Sequence, residues 1–248
     1  MNVLILRAPG TNCDIETAYA FELVGAKTDR IHINRVLEQP NILNKFQILC
    51  FPGGFSFGDD VAAGKILANL LKQNLDEPLR KFKEDGKLIL GICNGFQILI
   101  KSNLLLDEEN GKIPATLSWN RSGMYTDRWV ELETETNNCV FLKGIRSMYL
   151  PVAHAEGQFI PRSVQALDTL KKSGQLVLRY TTETNPNGSN ANIAGICDAT
   201  GRVFGLMPHP ERYIDAMQHP HWTRTKPKDR PEHGDGLAIF KNAVEYFR

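Results

Sequence analysis

The stretch Gly91-Ile92-Cys93-Asn94-Gly95 constrains this chain more than any other. It follows the apolar run Lys87 to Leu90 and precedes a helix-compatible run, Phe96 to Ile100. A strand that turns into a helix through Gly-x-Cys-x-Gly makes a sharp bend with the cysteine at its tip. The backbone at such a tip is strained, and glycines on either side remove the Cβ atoms that would clash. The bend needs a buried strand before it and a packed helix after it, which predicts an α/β chain. It also predicts a Cys93 thiol that stands clear of the backbone, set for acyl transfer through a thioester.

The flanking pattern agrees. Val3 to Leu6 and Phe46 to Phe51 read as buried strands, the second stopped by Pro52-Gly53-Gly54. Ile15 to Val24 has helical spacing and stops at Gly25, and Val61 to Leu71 and Leu79 to Phe82 also read as helices. Strands alternating with helices predict βαβ units and a mostly parallel sheet flanked by helices. Chemistry then sits beyond the carboxyl ends of the strands, where Gly53-Gly54 and Cys93 can share a crevice.

The middle of the chain differs. Trp129 to Glu133 alternates like a half-exposed strand, with Cys139 to Leu142 and Ser147 to Val152 as nearby pairing candidates. Val164 to Leu170 reads as a helix, Leu176 to Tyr180 as a strand, and Thr184 to Asn192 as a polar loop. Ile193 to Cys197 and Val203 to Leu206 form an antiparallel hairpin, and Leu237 to Phe247 a closing amphipathic helix. The expectation is one domain over residues 1–248 with an inserted antiparallel β region.

Composition excludes several functions. The 29 Lys and Arg balance 28 Asp and Glu, so there is no basic footprint for nucleic acid. No apolar run is long enough to cross a bilayer, and Met1 to Leu6 lacks the charged lead-in of a secretory signal. The five cysteines, Cys13, Cys50, Cys93, Cys139 and Cys197, are widely spaced with no Cys-x-x-Cys pair. That pattern predicts a reduced cytoplasmic setting and no structural zinc. Cys50 and Cys197 end apolar runs and are expected to be buried. Gly58 to Ile66 has one residue too many between its glycines for a phosphate loop, and Ile where Ser or Thr should hold magnesium. Asp59-Asp60 suits a helix start, and His219 and His221 lack further clustered ligands, so no metal site is expected.

A thiol needs a base or a helix N-terminus to become a nucleophile at neutral pH. The helix starting near Asn94 supplies the second. Among His32, His154, His209, His219, His221 and His233, His209 is the strongest base. It follows the strand Val203 to Leu206 and lies in Pro208-His209-Pro210-Glu211. The prolines favour extended backbone there, and residues two apart in an extended segment face the same way. Glu211 can then orient the imidazole, completing a Cys93–His209–Glu211 triad. An oxyanion hole is expected from the backbone N–H of Asn94, with a second donor at Gly53 or Gly54.

These residues resemble a known family. Gly-Ile-Cys-Asn-Gly-Phe-Gln (91–97), Pro-Gly-Gly-Phe-Ser-Phe-Gly-Asp (52–59) and Met-Pro-His-Pro-Glu-Arg (207–212) look like a class I glutamine amidotransferase, whose fold is flavodoxin-like. Pro-Gly-Thr-Asn-Cys-Asp (9–14), Pro-Val-Ala-His-Ala-Glu-Gly (151–157) and Asn-Ile-Ala-Gly-Ile (192–196) resemble the glutaminase subunits of phosphoribosylformylglycinamidine synthase. The resemblance implies that Cys93 attacks the side-chain amide of glutamine, releasing ammonia and leaving a glutamyl thioester for water to hydrolyse. It implies that Gln97 helps bind glutamine and that the segment around His154 lines its site. It further implies a large synthetase subunit, where ATP and Mg activate formylglycinamide ribonucleotide for amidination in purine biosynthesis, and a small bridging subunit. No cofactor is expected on this chain. The segment Tyr213 to Gly236 is longer than in compact relatives and suits a surface loop or subunit contact. Two alternatives stay open: a glutaminase serving a different synthetase, and a non-catalytic scaffold with the same fold.

Overall fold

Val3 to Leu6 are buried on both faces, and they form the middle of β1 (Asn2–Arg7). A strand apolar on both faces belongs inside a parallel sheet covered by helices. The chain continues through α1 (Asp14–Leu23), β2 (Lys27–His32), α2 (Ile33–Glu38), β3 (Ile48–Phe51), α3 (Lys65–Asn74) and α4 (Asp76–Glu84). It reaches the bend as β4 (Leu88–Ile92) and α5 (Asn94–Lys101). The second half comprises β5 (Ala115–Trp119), β6 (Thr126–Thr134), β7 (Ser147–His154), β8 (Glu156–Pro161), α6 (Val164–Lys172) and β9 (Leu176–Tyr180). It ends with β10 (Ile193–Cys197), β11 (Val203–Leu206) and α7 (Leu237–Glu245). This computed structural model describes residues 1–108, 111–135, 138–224, 226 and 231–248.

One nine-stranded sheet runs in the order β2-β1-β3-β4-β11-β10-β9-β6-β7, and β5 and β8 pair in a separate small sheet. The block β2-β1-β3-β4-β11 is parallel throughout, in the strand order of a flavodoxin-like fold. From β11 onward every pairing is antiparallel, so the inserted β region extends the main sheet. α1 packs on α7 through an edge-to-face contact of Phe21 with Phe240, ring centres 4.9 Å apart, and α3 packs on α5. Cys50 and Cys197 are fully buried, as expected.

Two expectations are corrected, and two elements had gone unread. Cys139 to Leu142 is no strand: Val140–Leu142 form a short 3-10 turn, and the carbonyls of Phe141 within it and Lys143 just after it accept from the Asn242 side chain of α7. Four apolar residues without alternation do not distinguish a strand from a buried turn. The helix expected from Val61 begins only at Lys65, because Gly64 at its N-cap is left-handed (φ 70°). β2 and α2 carry no sequence signal: β2 is a polar edge strand with only Ile31 buried.

Candidate active site

Cys93 stands between β4 and α5 with φ 51° and ψ −102°, a conformation L-residues rarely adopt. Such a backbone costs on the order of 1–3 kcal/mol and persists only where neighbours hold it. Here the Cys93 N–H donates to Leu206 O at 2.7 Å, and Gln97 N–H donates to Cys93 O at 3.1 Å. Glycine is required on the helix side, since a Cβ on Gly95 would lie 1.9 Å from Phe51 O. The thiol is buried but opens onto two cavities. One, of about 230 Å³, is lined by Gly54, Phe55, Gln97, His154 and Glu156 among others. The other, of about 100 Å³, is bordered by Cys13, Tyr125, His209 and Arg212.

The partner histidine arrives on the neighbouring strand. β11 runs parallel to β4 with Leu206 opposite Ile92, so the chain leaving β11 emerges beside the bend. His209 N–H is tied to Pro151 O at 2.8 Å. Its Nδ1 lies 2.6 Å from Glu211 Oε1, with both side chains buried. The pairing matches expectation but its backbone does not: Pro210–Arg212 form a 3-10 turn rather than an extended segment. Burial pushes the His209 imidazole down, but Glu211 and then Cys93 push it up more strongly, and the ring is held well above its ordinary range. No hydrogen bond of ordinary geometry reaches Nε2, although both Cys93 and Cys13 act on the ring. Catalytic hydrogen bonds are often long or poorly aligned in the absence of substrate.

The two glycines expected in an oxyanion hole have different surroundings. Gly54 lines both cavities. Gly53 seats the imidazole, because a Cβ there would meet His209 Cε1 at 2.7 Å and Cys13 Sγ at 3.1 Å. Asn94 begins α5, so its N–H is among those a helix leaves without an internal acceptor.

A buried polar network forms the wall of the larger cavity. Asn94 Nδ2 donates to Asp59 Oδ1 at 3.0 Å and to Gln97 Oε1 at 2.9 Å. Gln97 Nε2 donates in turn to Glu156 O. The Ser56 N–H donates to Asn94 Oδ1, and the Glu156 carboxylate accepts from Ala63 N–H and faces Lys101 Nζ at 3.6 Å. Gln97 thus reaches the cavity as a tethered wall. Burial raises the Asp59 carboxyl, partly offset by hydrogen bonds from Gly64 and Asn94.

His154 ends β7 and lines the same cavity. Asn120 Nδ2 donates to Met124 O and His154 O, so its Oδ1 is the acceptor, taking the Gly157 N–H as well. His154 Nδ1, 3.0 Å from that oxygen, must carry the proton, and Nε2 is left as an acceptor without a partner. Burial and then repulsion from His209 pull this imidazole down to about 3.

Sequence reasoning assigned no role to Cys13. Its sulfur accepts from Arg212 Nη2 at 3.3 Å and touches Asn12 Oδ1 at 3.2 Å, against the catalytic-pair candidates. Burial raises this thiol, with His209 and Arg212 opposing. His219 instead packs among Trp129, Tyr149 and Tyr213, its ring centre 5.5–5.9 Å from theirs, as a loop anchor. Within the 213–236 loop, positions 225 and 227–230 lie outside the described residues.

Residues 1–247 match the CobB/CobQ-like glutamine amidotransferase domain. The chain is 47% identical over its whole length to phosphoribosylformylglycinamidine synthase subunit PurQ of Dehalococcoides mccartyi, covering 98% of that protein. It is 34% identical to the subunit of the same name from Pyrococcus horikoshii, over 97% of this chain and 96% of the relative. Among solved structures, a chain of PurLQS from Thermotoga maritima superposes with a TM-score of 0.77 at 30% identity, covering 100% of this chain and 99% of that one. A glutamine amidotransferase from the same organism shares the fold at a TM-score of 0.59 and 16% identity, covering 99% and 97% of the two chains.

Proposed function

The chain belongs to the CobB/CobQ-like glutamine amidotransferase family and, within it, to the PurQ glutaminase subunits of phosphoribosylformylglycinamidine synthase in purine biosynthesis, and we propose that Cys93, His209 and Glu211 carry its reaction. The observation that supports this most is the strained Cys93 bend opening beside a buried imidazole held by a carboxylate at 2.6 Å. Glutamine enters the larger cavity and the Cys93 sulfur attacks its side-chain carbonyl. The thiol proton already rests on His209 as a thiolate–imidazolium pair, and His209 gives it to the departing nitrogen, so ammonia leaves and a glutamyl thioester remains. Water adds with His209 again as base, and glutamate leaves. Glu211 keeps the ring in the orientation both transfers need. The N–H groups of Asn94 and Gly54 receive the oxyanion, with Gly53 holding the turn. Gln97 shapes the wall, and the neutral His154 offers Nε2 to a donor on glutamine.

The whole of 1–248 acts as one amidotransferase unit in the cytoplasm. Its ammonia passes to a large synthetase subunit, where ATP and Mg drive amidination of formylglycinamide ribonucleotide, with a small subunit bridging the complex. The PurLQS relative supports these partners. The mouth of the site supports them too: Phe55 and Trp119 on the larger cavity and Tyr125 on the smaller are all exposed large apolar side chains. An apolar rim around a polar site suits a subunit that docks over it and keeps water from the ammonia. No helix among the described residues is long and apolar enough to cross a membrane.

The reading is tested by treating the complex with a glutamine-mimicking electrophile and mapping adducts by mass spectrometry. A single adduct on Cys93, blocked by glutamine, is expected. An unmodified Cys93 in an assembled complex would favour the scaffold alternative.

A further inference from the structure

Cys13 takes no part in the reaction above, yet it lies in the same buried knot as the catalytic pair. Its sulfur, one ring nitrogen of His209 and one carboxylate oxygen of Glu211 all lie within 4.8 Å of one another. All three residues are buried, at 1–2% exposure. Two polar atoms of the knot, His209 Nε2 and Glu211 Oε2, have no hydrogen-bond partner among the described residues. The smaller cavity, which Cys13, Cys93 and His209 border together, gives a hydrated ion a way in.

Thiolate, imidazole and carboxylate are the donor set of zinc, whereas magnesium prefers oxygen alone. Tetrahedral zinc, with bonds of about 2.0–2.3 Å, holds its ligand atoms roughly 3.3–3.8 Å apart. The His209 Nδ1 to Glu211 Oε1 separation of 2.6 Å is shorter than that spacing, so the carboxylate must turn off the ring nitrogen as the ion enters. Water can take the fourth position. We propose that Cys13, His209 and Glu211 form a site for one zinc-class divalent cation, and that filling it switches the glutaminase off. Zinc–ligand bonds replace the proton on the Cys13 thiol and the proton on the imidazole nitrogen that binds, and both protons pass to solvent. The imidazole lone pair is then committed to the metal and no longer accepts the Cys93 proton. Binding rests on the cluster of three buried donors, and inhibition rests on the proposed role of His209 as base.

The test is zinc binding by the chain in competition with a chromogenic chelator, with Co²⁺ as spectroscopic probe. The unaltered chain and Cys93→Ala are expected to bind one equivalent, with a thiolate-to-cobalt absorption band in both. Cys13→Ala and Glu211→Gln, checked for native circular dichroism, are expected to lose about tenfold or more in affinity. Cys13→Ala should also lose the cobalt band. A Cys13→Ala chain with unaltered affinity, or binding lost only with Cys93, would overturn the site. So would the absence of a thiolate band in Cys93→Ala, a result that needs no change at the proposed ligands. Zinc bound by the assembled complex with glutaminase undiminished would overturn the switch, and the role of His209 as base with it, but not the metal site.

Discussion

The parallel and antiparallel halves of the sheet each send one histidine to the Cys93 pocket, and the two are held in opposite states. His209 follows β11, meets the Glu211 carboxylate, and is pushed well above its ordinary range despite burial. His154 ends β7, meets the Asn120 amide oxygen, and is pulled down to about 3. Both are about equally buried, so burial does not make the difference. A carboxylate partner stabilises the imidazolium, whereas an amide partner fixes a neutral tautomer. The first suits proton transfer and the second suits holding a substrate.

That contrast breaks most directly by removing the proposed base. His209→Ala should cut glutamine-dependent synthesis by about 10³-fold or more, on the scale of general-base losses added to loss of nucleophile activation. Ammonium-supported synthesis should persist, and Cys93→Ala should behave in the same way. If either variant also lost ammonium-dependent turnover, its residue would be an assembly element. Glu211→Gln converts the carboxylate pair into an amide pair like that of His154. Its loss should be about ten- to a hundredfold smaller than that of His209→Ala, since orientation contributes less than proton transfer. A loss matching His209→Ala would mean that the carboxylate does more than orient.

His154→Gln should act mainly on KM, raising it about tenfold with kcat changed less, as expected for loss of one hydrogen bond to bound glutamine. A kcat loss as large as that of Glu211→Gln would place His154 in the proton path. The smallest effect concerns stability. Between about pH 6.5 and 3 the unfolded chain binds a proton at His154 that the folded chain does not. Folding stability from this site therefore falls as the pH drops through that window. His209 has the opposite sign: its contribution is complete below about pH 6.5 and is lost as the pH rises through its elevated folded value. Urea midpoints across pH 4–6.5 should decline less steeply for His154→Gln than for the unaltered chain, and equal slopes would contradict the assignment.

The sequence disclosed what is local. The bend at 91–95 is visible because strand, strained tip and clearing glycines are contiguous, and the His209–Glu211 pair because a single proline separates its two members. The parallel block was legible from its doubly buried strands. β2 was hidden because a polar edge strand has no apolar period, and the 140–142 turn because an unbroken apolar run fits either structure. Cys13 and Asn120 were illegible as site residues for another reason. Each gains its role from a partner far along the chain: His209 for the first and His154 for the second. The Gly53 seat for the His209 ring belongs to the same class, a contact made by topology rather than by spacing.

The partner of each imidazole sets its protonation. Isotope-labelled histidine NMR on the chain, titrated from acid to alkaline pH, reads both rings at once. His209 is expected to stay protonated well above about pH 6.5, while His154 remains the neutral Nδ1–H tautomer down to about 4. Two rings titrating together near the unperturbed histidine value would contradict it.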